Sequence, residues 1–76
     1  MGRSPRIPGR DVLRGLLRRG FTLSHVKGSH HFLRGPGGRV VIVPVHSAQT
    51  LAPGTLRSIV RQSGLTAGEF GAMLEE

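Results

Sequence analysis

The chain has 76 residues and no cysteine, which allows one domain with one modest core and leaves neither a disulfide framework nor a thiolate metal site. Eleven Lys and Arg against four Asp and Glu give a net charge of +7, and Asp11 is the only acid before Glu69. Such an excess attracts polyanions, so the expected partner is nucleic acid or an acidic protein, with a merely solubilising basic surface as the bland alternative. No apolar leader segment opens the chain and its longest apolar run, residues 40–45, is too short to span a bilayer, so a soluble, cytoplasmic protein is expected.

Residues 1–8, MGRSPRIP, combine two prolines with two arginines and read as a flexible basic arm ahead of a single domain over 9–76. From Gly9 onward Val12, Leu13, Leu16 and Leu17 recur at helical spacing between Arg10, Arg14, Arg18 and Arg19, and Gly20 supplies a stop. FTLSHVK then alternates as a strand does, with Phe21, Leu23 and His25 on one side. Gly28-Ser29 has glycine at the first central position of a two-residue turn, as a type II′ hairpin requires, and HHFLR becomes the returning strand.

GPGG at 35–38 is a second turn, and RVVIVPVH is a third strand whose unbroken apolar run predicts burial on both faces. After the loop SAQT, the segment from Pro53 places Leu56, Ile59 and Val60 on one helical face, with Arg57 and Arg61 outward and Gly64 as the stop. TAGE at 66–69 has the form of a capping box and opens a last short helix carrying Phe70, Met73 and Leu74. The predicted fold is therefore α+β: a three-stranded antiparallel sheet with helices packed on one face and a short C-terminal helix.

In this hairpin Lys27, the only lysine in the chain, faces His30 directly across the turn, while His31 points to the other side of the sheet. A cation beside an imidazole disfavours the imidazolium and also offers a point charge to a phosphate. The pair suits metal-free RNA cleavage, which needs a base for the 2′-hydroxyl, an acid for the leaving oxygen and a cation for the phosphorane. Equally, His30 can be a hairpin-end histidine with no chemical role. His46 admits both readings too, as second proton carrier or as a strand-end residue. Phe32, on the His30 side, can stack a base but is expected in the core. Metal binding lacks ligands beyond His25, His30, His31 and His46, GPGG lacks the Lys-Ser/Thr of a phosphate loop, and no acid is placed to complete a serine triad.

These residues also carry a resemblance. GF at 20–21, KGSHH at 27–31, PVH at 44–46, PGTLRSIVRQSGL at 53–65 and EF at 69–70 are similar in order and spacing to the HicA toxin family of bacterial toxin-antitoxin systems, over residues 7–74. The resemblance implies an α-β-β-β-α fold like that of double-stranded-RNA-binding domains. It further implies an mRNA interferase that acts on single-stranded RNA or mRNA, arrests translation, needs neither metal nor small-molecule cofactor, and is silenced by a HicB-like antitoxin. Within that family the histidine of the turn is catalytic and matches His30, whereas His31 falls at a variable position. Lys27, Ser29, Arg34, Arg57 and Arg61 are the expected RNA-binding residues. Two rival readings stay open: a non-catalytic RNA-binding module, and a structural subunit whose basic face serves an acidic protein.

Overall fold

The computed structural model describes residues 6–76. The first helix, α1 (Gly9–Arg18), turns Val12 and Leu16 into the core, half-buries Leu13 and leaves Leu17 43 % exposed, so the apolar stripe is one residue narrower than its spacing suggests. Asp11 in its first turn and Arg18 in its last complement the helix dipole. Of the expected N-terminal arm, residues 1–5 lie outside the described residues. Ile7 and Pro8 are tied down: the Leu51 N–H donates to the Ile7 carbonyl at 2.8 Å, and Pro8 forms an antiparallel bridge to Thr50.

Three strands follow, β1 (Thr22–Lys27), β2 (His30–Arg34) and β3 (Val40–Pro44), in an antiparallel sheet of order β1-β2-β3. GPGG forms the short turn expected of it, with Gly37 and Gly38 both at positive φ (72° and 77°). Leu33 on β2 stands opposite Val41 on β3, and all three of Leu33, Val41 and Val43 are fully buried beneath the helices. Burial of β3 on both faces does not occur. Val40 is 45 % exposed and Ile42 and Pro44 are half-buried, because helices cover one side of the sheet only. The apolar run is dense enough for two buried faces, but among the described residues no element covers the second.

A β-bulge at Ser24 interrupts the first hairpin, so that Leu23 pairs with Leu33 and His25 with Phe32. An unbroken register would set Leu23 opposite Arg34, on the His30 side. With the bulge Leu23 joins Leu33 on the helix side instead. Phe21, also expected on the His30 side, precedes β1 and is buried in the core.

The second helix, α2 (Pro53–Ser63), buries Ile59, keeps Arg57 and Arg61 exposed and ends at Gly64 in the left-handed region (φ 75°). Its Gln62 Oε1 accepts the Ile42 N–H at 3.0 Å, so a side chain fills the outer edge of β3. The third helix, α3 (Ala67–Leu74), has the predicted capping box: the Thr66 N–H donates to Glu69 Oε1 at 2.8 Å, and the Glu69 N–H donates to Thr66 Oγ1 at 3.0 Å. It buries Phe70 and Met73, whose side chain packs against Gly15 of α1. Arg18 donates to the Met73 carbonyl at 3.0 Å, and Arg19 Nη2 meets Glu76 Oε2 at 2.8 Å, so the ends of α1 and α3 are joined. The Arg19 hydrogen bond holds the Glu76 carboxyl below the usual range, and the hydrogen bonds to Thr66 do the same for Glu69.

Two outcomes follow from this packing. A Cβ on Gly9 would run into the backbone carbonyl oxygen of Pro44, which no side-chain rotation can relieve. Gly9→Ala should therefore destabilise the fold by about 1–3 kcal/mol, read as a lower denaturation midpoint. Glu69 and Glu76 both have folded-state pKa values depressed from 4.5, so their contribution is present above that pH and is lost as pH falls through the folded values. In thermal melts stepped downward from pH ~6, the parent should lose stability more steeply than a Glu69→Gln, Glu76→Gln double variant.

Candidate active site

Burial of Leu33 settles the orientation of the whole hairpin. Side chains alternate along a strand, so with Leu33 facing the helices, His31 shares its side and His30, Phe32 and Arg34 face outward. The register pairs Lys27 with His30 and His25 with Phe32, which brings Lys27 and His25 to the same outward face. Gly28 has φ 59° at the first central position of the turn, as predicted for the type II′ geometry. The expected juxtaposition of Lys27 and His30 is therefore present, at the open end of an uncovered sheet face.

Phe32 is not a core residue. It is half-buried on the outward face, where its ring stacks on His25 with centroids 4.3 Å apart and planes 10° from parallel. Sequence reasoning missed this pair, although its signal was present: two residues back from Lys27 and two on from His30, the same hairpin register sets His25 opposite Phe32. Arg34 is exposed at the far end of the same row on β2. No acid occurs between Asp11 and Glu69, so Lys27 and Arg34 bracket a face without a carboxylate on any strand.

The turn itself is braced from behind. The Ser29 carbonyl accepts the Val45 N–H at 2.8 Å and lies 3.2 Å from His31 Nδ1. A carbonyl only accepts, so Nδ1 carries the proton in this contact and His31 serves as a buttress on the helix side. The Val45 bond also carries the chain alongside the turn for one residue beyond β3, and His46 comes next. His46 is exposed and lines a cleft of about 270 Å³ with Pro44, Gln49 and Thr50. Ser47 after it adopts φ 48°, a left-handed conformation that a non-glycine residue takes at some cost.

Not every expected contact residue gathers here. Arg57 and Arg61 stand on the exposed side of α2, in the helical layer, and the structure does not bring them onto the face that carries His30. Among the described residues, no three His, Asp or Glu side chains cluster as a metal-binding group. No helix among them is long and apolar enough to cross a membrane.

Gly28 has open space around the position of a Cβ, so substitution there strains the backbone rather than the packing. Gly28→Ala should cost about 1–2 kcal/mol in chemical denaturation, and Gly28→Asn less, since asparagine tolerates the left-handed region.

The fold and the site define a small α-β-β-β-α domain, of the double-stranded-RNA-binding-domain type, that presents a Lys-His hairpin on a bare basic sheet face. Residues 9–65 match the family model described as the HicA toxin of bacterial toxin-antitoxin systems. The chain belongs to the HicA toxin family, and so to the toxin side of a two-component system whose other member is an antitoxin. No curated protein matches it significantly in a direct sequence comparison.

Proposed function

We propose that this HicA-family toxin is an endoribonuclease that cleaves mRNA with His30 as its proton-transfer residue, without a metal ion, and so inhibits translation. The observation that carries this reading is the direct pairing of Lys27 with His30 across the turn, on an outward face whose strands carry no acid and which no helix among the described residues covers. In the proposed step His30 takes the proton of a 2′-hydroxyl, the freed oxygen attacks the adjacent phosphorus, and the bond to the 5′-oxygen breaks. Lys27 neutralises charge that builds on the phosphorane oxygens, and the leaving oxygen takes a proton from Lys27, His46 or water. Arg34 holds the strand by a neighbouring phosphate, the Ser29 hydroxyl offers a further hydrogen bond at the turn, and Arg57 and Arg61 supply longer-range attraction from the helical layer. The antitoxin of this system, HicB-like by family, silences the enzyme by binding it.

The test incubates single-stranded RNA with the purified protein and with His30→Ala, in chelator, beside a retardation lane for binding. The parent should cut the RNA, and His30→Ala should bind it but cut about 10²- to 10⁴-fold more slowly. Equal cleavage by both would remove His30 from the mechanism. Intact but retarded RNA in every lane would make the protein a binding module instead.

A further inference from the structure

On the outward face β2 presents His30, Phe32 and Arg34 in sequence, each two residues from the next, so along one strand lie a proton carrier, an aromatic ring and a guanidinium. Successive members of this row are about 7 Å apart, two strand residues, which is the scale of one nucleotide step. The middle position is reinforced from β1 by the His25 ring stacked on Phe32, and Ile42 stands beside Phe32 on β3. No helix among the described residues covers this pair, and His25 is exposed. A phenylalanine on the uncovered side of a small sheet, kept partly wet and roofed by a histidine, adds little to a core that is already complete without it.

We propose that the His25–Phe32 stack is a platform for one unpaired base of the RNA, seated next to the phosphate that His30 and Lys27 address. The inference rests on the reading of this face as the RNA-cleaving surface. A base stacks on exposed aromatic surface through its π-face whatever its identity, so the platform fixes the position of the strand without reading its sequence. Arg34 then meets the phosphate on the far side of the stacked nucleotide. His25 and Phe32 are positioning residues in this arrangement, since neither exchanges a proton with the substrate. Because stacking requires an unpaired base, the platform also selects single-stranded RNA over duplex.

The test uses the full chain carrying His30→Ala, which keeps RNA uncut, and a short single-stranded RNA in which 2-aminopurine replaces one base at each position in turn. Stacking should quench the fluorophore at one position on binding. Adding His25→Leu should abolish that quench and weaken binding by about 5- to 100-fold, while His25→Tyr should restore both. With His30 intact, His25→Leu should raise KM more than it lowers kcat.

Unchanged quenching and affinity in His25→Leu, with the parent still cutting RNA, would overturn the platform and leave the nuclease reading standing. Equal losses in His25→Leu and His25→Tyr, with both variants folded, would likewise overturn it, since an aromatic surface would then not be what the RNA uses. If the parent neither binds nor cuts RNA, the nuclease reading falls and the platform with it.

Discussion

Leu33 is fully buried in the middle strand, and period-two alternation transmits that one commitment to the rest of the sheet. If Leu33 faces the helices, His31 must as well, and His30, Phe32 and Arg34 must face away. Through the turn at Gly28 the same parity reaches Lys27 and His25. A slip of one residue would bury Lys27 and His30 under the helical layer and expose Leu33 and Val41 to water, losing about 1.5–3 kcal/mol for each large apolar side chain involved. The chemistry of the outer face is thus held in place by hydrophobic burial on the inner one.

The helical layer grips the back of this sheet through polar contacts as well as packing. Gln62 occupies an edge N–H of β3, Arg18 occupies a carbonyl near the end of α3, and the start of α1 lies so close to Pro44 that only glycine fits. Ser63, buried in α2, donates to the Val60 carbonyl and accepts the Leu65 N–H, which leaves neither end of its hydroxyl idle. Backbone groups at two separate joints, Ile42 and Met73, are therefore satisfied by side chains from another element. This rigid backing suits a hairpin that must hold two side chains in a fixed relation.

How much of this was legible in the sequence differs from element to element, for physical reasons. The helices were, because Val12 and Leu16 before Gly20, Leu56 and Ile59 before Gly64, and the Thr66–Glu69 box are local signals. The Lys27–His30 pairing was, because a two-residue turn leaves no freedom in register. The bulge at Ser24 was legible only as a conflict: an unbroken register puts Phe21, Leu23 and Phe32 on the His30 side and Val26 and Leu33 on the other, which suggests a bulge in the hairpin without showing at which residue it falls. The one-sided burial of β3 was hidden by composition: five apolar side chains in a row look the same whether one face is covered or two. Phe32 was misplaced because burial of an aromatic in a core is the commoner case, and only the absence of a second covering layer shows otherwise. Family membership came from motif order along the chain, whereas the roles of individual residues rest on geometry that no single motif specifies.

The bulge at Ser24 bears on more than register. β1 is an edge strand exposed along its whole length, with Leu23 and Val26 each close to half exposed. Such an edge is a ready template for a strand from another copy, and the sheet would grow by adding chains side by side. A bulge twists the edge away from the straight line that a new strand needs, and Lys27 places a charge near its end. On the opposite side Gln62 already occupies part of the rim of β3. Each border of the sheet is thus guarded by a different device, which favours a protein that stays dispersed even when it is concentrated.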